Sequence, residues 1–175
     1  MKNKHNIYGG GANTNVTGLK FERDTDLKST LENIGYTVEK NGEVKKEGET
    51  YGFLVPKHKF YVFLNYQGVN YRDYNSIKWL PDEAFINQRN KTLYIIEKKM
   101  QTQGGSVDEK LANCEFKKME YQKLATPIGL HVKFIYIFSE WYKQTKYKDV
   151  LAYIKLKDCS YYYNEIPIQA LGLDV

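Results

Sequence analysis

The sequence predicts an α/β domain built around a mixed β-sheet, with its core elements in the order α-β-β-β-α-β. Two observations support this prediction. Apolar residues recur at helical spacing near the N terminus and again in the middle of the chain, and short β-branched or aromatic runs with polar turns lie between and after them. With 175 residues the chain is long enough for one hydrophobic core, so we expect a single domain spanning residues 1–175.

The N-terminal part is predicted to be an irregular arm followed by one helix. The arm, residues 1–17, ends in glycine and small polar residues that are typical of a loop. A helix is expected from Gly18 to Ile34, because its leucines recur at helical spacing and Gly35 supplies a C-terminal stop.

The strands are predicted from short runs of apolar or β-branched residues separated by turn residues. Asn41-Gly42 is typical of a tight hairpin turn. A polar and basic turn at residues 87–91 separates the last two runs, which we therefore expect to pair antiparallel. The predicted strands are Tyr36–Lys40, Thr50–Val55, Phe60–Tyr66, Trp79–Ile86 and Thr92–Gln101.

The second half of the chain is predicted to contain two helices and a buried strand. Ser106 can cap a helix that continues to Leu124, and the β-branched, aromatic run Leu130–Phe138 is typical of a core strand. The core is thus expected to span residues 18–138. Residues 139–175 add a short helix and a strand-like tail, which would serve a dimer interface or contact DNA.

Composition excludes several classes of protein. The net charge of +5 and the pI of about 8.9 favour an anionic partner, nucleic acid above all. Cys114 and Cys159 lack the spacing of a zinc site or a disulfide framework, and no stretch is apolar enough to cross a membrane. We expect a cytoplasmic protein without a membrane partner.

The predicted strand Thr92–Gln101 begins with a buried apolar run and ends in charged residues. Because side chains alternate along a strand, Glu97, Lys99 and Gln101 should share one face, while Lys98 points away and contributes its backbone or a solvent-facing charge. The hairpin with the preceding strand should bring Asp82, which follows Pro81, alongside Glu97.

Two carboxylates and a lysine at one point indicate a specific chemistry. Neighbouring carboxylates repel each other, and a hard cation such as Mg²⁺ relieves the repulsion while keeping several of its waters. A lysine beside such an ion can orient an attacking water or offset the charge on a pentavalent phosphorus. The arrangement therefore predicts hydrolysis of a phosphodiester bond.

Pro81-Asp82, a gap of fourteen residues and Glu97-Lys98-Lys99 resemble the PD-(D/E)XK signature of restriction-endonuclease-like nucleases. The resemblance implies that Asp82, Glu97 and the backbone carbonyl of Lys98 bind Mg²⁺, with Mn²⁺ as a substitute, and that Lys99 assists the water. It also implies an acidic residue on the first helix, here Glu22. An ordinary helix-surface acid is an equally open interpretation of Glu22.

The glycine-rich start and the segment after the catalytic strand also resemble those of small Type II restriction endonucleases. This resemblance implies a Mg²⁺-dependent enzyme without a small-molecule cofactor, cutting double-stranded DNA at a short sequence in the cytoplasm of a bacterial-type cell. Two active sites related by a two-fold axis imply a homodimer. A repair or junction nuclease of the same fold and a non-catalytic DNA-binding protein, in which the acidic pair is structural, are the alternatives.

Residues near both ends of the predicted site are candidates for DNA contact. The small polar residues of the arm can reach DNA or form a frayed terminus, and amides just beyond the site can read base edges. Lysines on the following helix, including Lys117, can form a solvated face or track phosphates. The DNA-binding candidates are Asn13, Thr14, Asn15, Gln101, Gln103, Ser106 and Lys110.

Overall fold

The computed structural model describes residues 11–102 and 108–174, and for residues 11–17 it describes the backbone alone. A seven-stranded mixed sheet has helices on both faces, which confirms the predicted mixed α/β class. The strands are β1 (Thr37–Val38), β2 (Glu43–Lys46), β3 (Glu49–Leu54), β4 (Glu83–Asn87), β5 (Thr92–Lys99), β6 (His131–Phe138) and β7 (Ser160–Tyr163). The α-helices are α1 (Gly11–Asp24), α2 (Leu27–Asn33), α3 (His58–Tyr66), α4 (Cys114–Ala125) and α5 (Lys148–Leu156).

The strands lie in the sheet in the order in which they occur in the chain. Neighbours from β1 to β5 pair antiparallel, whereas β5, β6 and β7 run parallel to one another. Parallel neighbours need a long crossover connection, and here α4 joins β5 to β6 while α5 joins β6 to β7. The sheet is therefore an antiparallel meander extended by two crossover units.

Strand β5 lies at the centre of the sheet and separates two apolar cores. Leu93 and Ile95 pack in the core that includes side chains of α3, α4 and α5. Tyr94 and Ile96 pack in the core on the other face, which includes side chains of α2. Because this alternation continues along the strand, the residues after Ile96 also point alternately to the α4 side and the α2 side.

The prediction of one helix from Gly18 to Ile34 is wrong. The chain forms α1 and α2, with a break at Thr25 and Asp26. Asp26 caps α2, since its Oδ2 accepts a hydrogen bond of 2.8 Å from the backbone N–H of Ser29. The predicted arm is also partly helical, because α1 begins at Gly11; residues 1–10 lie outside the described part of the chain.

The prediction of a strand over Phe60–Tyr66 is also wrong, because this segment belongs to α3. Its aromatic and β-branched composition favours a strand, but Phe60, Tyr61 and Leu64 are buried together at helical spacing. Packing of that face in the core with α4 overrides the local preference.

Several element boundaries differ from the predicted ones. Strand β4 begins at Glu83 rather than at Trp79, β2 was not predicted, and a 3₁₀-helix over Asp108–Asn113 precedes α4. The hairpin turn at Asn41-Gly42, the core strand β6 and the helix α5 are confirmed. In the described part of the chain, no helix combines the length and apolarity that crossing a membrane requires.

Candidate active site

The hairpin of β4 and β5 brings the predicted site residues together. The two strands pair antiparallel as predicted, with Glu83 opposite Ile96 and Asn87 opposite Thr92. Asp82 directly precedes β4 and so lies at the end of the hairpin where β5 continues into Lys98. The backbone N–H of Lys98 donates a hydrogen bond of 2.8 Å to Asp82 Oδ2, which fixes the position of this carboxylate.

Lys99 lies between the two carboxylates. Its Nζ is 3.0 Å from Glu97 Oε2 and 3.9 Å from Asp82 Oδ2. The Glu97 side chain is only 5% exposed, whereas those of Lys99 and Asp82 are 23% and 31% exposed. Glu97 is therefore the buried carboxylate of this site, whereas solvent reaches the side chains of Lys99 and Asp82.

Glu97 uses only one of its two carboxylate oxygens for these contacts. Its Oε1 is buried and has no hydrogen-bond partner among the described residues, and the same holds for the hydroxyl of Tyr121 on α4. Burial raises the pKa of Tyr121, and the negative charges of Glu97 and Asp82 add to this rise. Tyr121 is thus a neutral phenol beside the acidic group.

The backbone of β5 adds a third oxygen to this site. Lys99 accepts a hydrogen bond of 3.0 Å from the N–H of Ser139, so the carbonyl of Lys99 faces β6. Because carbonyls alternate along a strand, the carbonyl of Lys98 faces the opposite edge, the side on which its own N–H binds Asp82.

These oxygens suit Mg²⁺, which binds through one or two carboxylates and keeps several waters. The buried Oε1 of Glu97 is an acceptor without a protein donor in the described residues, as a metal ligand should be. Residues 11–102 and 108–174 contain no group of three or more His, Cys, Asp or Glu side chains that could together hold a metal ion. A site with two carboxylates and one carbonyl is consistent with that result.

Lys98 lies on the face opposite Glu97, as predicted, but it does not carry a solvent-facing charge, so that one of its two predicted contributions is wrong. Its side chain is only 3% exposed and points to the face opposite Glu97, where its Nζ lies 2.9 Å from Glu83 Oε1. Burial raises the pKa of the Glu83 carboxyl, and the charge of Lys98 opposes this rise. Alternation along β5 determines that Lys98 points to the α2 side of the sheet, and in the folded protein that side is buried at Lys98.

Glu22 contacts Lys98 rather than the group formed by Asp82, Glu97 and Lys99. Lys98 Nζ donates to the backbone carbonyl of Glu22 at 3.4 Å and lies 3.9 Å from Glu22 Oε2. The Glu22 side chain is 52% exposed. A cavity of about 520 Å³ is lined by Glu22, Asp82, Glu83 and Lys98, so Glu22 and Asp82 reach the same space from different elements.

Lys117 is a site residue that the sequence indicated only as one of several lysines on a solvated or phosphate-tracking helix face. Its Nζ lies 3.1 Å from Glu97 Oε2, the oxygen that also contacts Lys99. The available signal was helical spacing, because Lys117 shares a face of α4 with buried Cys114, Tyr121 and Leu124. A lysine on the buried face of a helix indicates an acidic partner, but helical spacing alone does not show which acidic residue of the chain it is.

The proposed DNA-binding residues are only partly described. Lys110 is exposed on the 3₁₀-helix before α4. Gln101 is half-buried, and its Oε1 accepts a hydrogen bond of 3.1 Å from the hydroxyl of Tyr142. The side chains of Asn13, Thr14 and Asn15, and the whole of Gln103 and Ser106, lie outside the described part of the chain.

Comparison of this chain with protein-family models, curated proteins and solved structures gives no match.

Proposed function

We propose that this protein is a Mg²⁺-dependent endodeoxyribonuclease with a restriction-endonuclease-like core, acting as a Type II restriction enzyme on double-stranded DNA. The observation that carries the proposal is the convergence of Asp82, Glu97 and Lys99 at the end of the β4–β5 hairpin. The antiparallel strands β3, β4 and β5 followed by the β5–α4–β6 crossover support it, because this is the order of strands and crossover helix in that core, although here α3 lies between β3 and β4.

In this proposal, Asp82, Glu97 and the carbonyl of Lys98 hold the Mg²⁺. The ion, when bound, lowers the pKa of a coordinated water and offsets negative charge on the phosphate. Glu97 is held rigidly because it is buried and follows the buried run of β5. Asp82 is held by the N–H of Lys98 and is open to solvent on its other side.

Lys99 orients the reacting groups. An ammonium has three N–H donors, and the hydrogen bond to Glu97 uses one of them. Asp82 Oδ2, 3.9 Å away, is too far for a hydrogen bond, so two donors remain for a water or a phosphate oxygen. From this position Lys99 holds the attacking water in line with the phosphorus and stabilises the charge that develops on the phosphate oxygens. The attack proceeds without a covalent enzyme intermediate, since the nucleophile is water.

Incubation of plasmid DNA with the protein in Mg²⁺ and in EDTA tests the proposal. We expect discrete fragments in Mg²⁺, with ends that map to one short sequence, and none in EDTA. Ends that follow DNA structure rather than sequence would indicate a repair or junction nuclease. Absence of cutting with every divalent metal would overturn the enzyme assignment and leave a DNA-binding protein.

The proposed homodimer is tested by the number of subunits that bind one DNA duplex. A Type II enzyme that cuts both strands of a symmetric sequence needs two active sites related by a two-fold axis. Sedimentation of the protein with a duplex that carries the mapped site should give two subunits for each duplex. One subunit for each duplex would contradict the dimer.

A further inference from the structure

We propose that Lys117 is a positioning residue of this site, one that neutralises Glu97 and so leaves Lys99 available for the water and the phosphate. This inference rests on the proposed nuclease function. It assigns separate roles to the two lysines that contact the same carboxylate.

The two lysines approach a single oxygen atom. Lys99 Nζ and Lys117 Nζ lie 3.0 Å and 3.1 Å from Glu97 Oε2, respectively. Their side chains are 23% and 22% exposed, so both lysines are partly open to solvent. Neither lysine binds Glu97 Oε1, which therefore stays free of both cations in the described structure.

The position of Lys117 is set by its surroundings. Its Nζ lies 5.8 Å from the centre of the Trp79 ring, which forms one wall beside it. Trp79 is itself anchored, because its Nε1 donates to Glu120 Oε2 at 3.4 Å and its carbonyl accepts from the Tyr61 hydroxyl at 2.8 Å. Lys117 is thus part of a packed wall of the site rather than a free surface lysine.

The charges explain why a second lysine is useful. Glu97 is buried, and a buried carboxylate that loses its only cation is strongly destabilised. If Lys99 were the only donor to Glu97 Oε2, it could not move toward a water or a phosphate without leaving that oxygen unpaired, whether or not Oε1 holds the metal. Because Lys117 holds the same oxygen, Lys99 can move while Glu97 keeps a cation.

Lys117→Met tests this role, because it removes the charge and keeps much of the apolar stem. Lys118→Met is the matched control: Lys118 is the next residue on α4, but its Nζ binds Asp158, 2.6 Å away. We expect Lys117→Met to lower the single-turnover cleavage rate at least about tenfold, and Lys117→Arg to recover most of it. Lys118→Met should cut at the wild-type rate.

A second measurement separates positioning through charge from a structural role. Binding of Mn²⁺ to the DNA-free protein, followed by electron paramagnetic resonance, should be unchanged or tighter in Lys117→Met, because a like charge near the metal has been removed. Parallel loss of Mn²⁺ affinity and cleavage would show that Lys117 merely shapes the site, and would overturn the proposal. Lys117→Gln provides a second uncharged variant if Lys117→Met folds poorly.

The outcomes also distinguish this inference from the proposed function. If the wild-type protein cuts DNA and Lys117→Met cuts equally fast, the role of Lys117 is wrong while the nuclease assignment stands. If the wild-type protein does not cut, the nuclease assignment fails and the role of Lys117 fails with it.

Discussion

Replacing Lys98 by methionine is expected to lower the free energy of unfolding by about 3–5 kcal/mol at neutral pH, the usual cost of removing one partner of a buried ion pair. Lys98 and Glu83 are 3% and 8% exposed, and their charged atoms are 2.9 Å apart. Methionine fills much of the space of the lysine stem but leaves Glu83 buried without its cation. Urea unfolding of the wild-type protein and the variant measures the difference.

The loss caused by Lys98→Met should depend on pH. Burial raises the pKa of Glu83 above its ordinary value of 4.5, and removal of Lys98 raises it further. A carboxyl whose pKa is higher in the folded state contributes stability that is fully present below 4.5 and is lost as the pH rises through its folded-state pKa. The deficit of the variant should therefore be largest at neutral pH and shrink toward pH 4.5.

Lys99→Met is the matched control for this prediction. It removes the same charge from the next residue of β5, but Lys99 is partly exposed and Glu97 keeps Lys117 as a partner. We expect a loss of about 1 kcal/mol or less. Equal losses in the two variants, or a deficit of Lys98→Met that does not vary with pH, would contradict the burial and pairing of Lys98.

Replacing Lys99 by alanine is expected to lower the rate of DNA cleavage by about 10²–10⁴-fold, the range for removing a positioned catalytic group. The contacts of Lys99 with Glu97 and Asp82 place its ammonium where the proposed reaction takes place. Single-turnover cleavage of a duplex with the mapped site gives the rate. Thermal unfolding should show that the variant stays folded.

Two further variants make this prediction specific. Lys148→Ala removes an exposed lysine at the start of α5, and we expect it to cut like the wild-type protein. Asp82→Ala removes the second carboxylate, which the proposal makes a metal ligand, and should abolish cleavage. Cutting that survives Asp82→Ala would show that the nuclease, if present, uses another site.

Local patterns were enough to predict the strands around the site. The apolar run Leu93–Ile96 and the polar turn at residues 87–91 predicted a β4–β5 hairpin, which the structure has. Alternation along an extended chain is a property of the backbone, so Glu97 and Lys99 could be assigned to one face and Lys98 to the other. These features depend on a few neighbouring residues.

Patterns of the same kind failed where packing decided the outcome. Phe60–Tyr66 has the composition of a strand, but it forms a helix because its buried residues pack in the core with α4. For Glu22, a catalytic role and an ordinary surface acid were both open; the fold places it in contact with Lys98 and on the cavity that Asp82 also lines. Local preferences differ by about 1 kcal/mol or less per residue, so burial of a few large side chains outweighs them.

The sequence by itself determined which residues of this protein end the central hairpin, and that Glu97 and Lys99 share one face of β5. Only the tertiary structure decided which charged groups pair with residues of β5. Lys117, which lies on α4 twenty residues after Glu97, contacts Glu97, and Glu83 on the neighbouring strand pairs with buried Lys98. The physical reason is that the side-chain period of a strand is local, whereas an ion pair depends on how separate elements pack and on how much water they exclude.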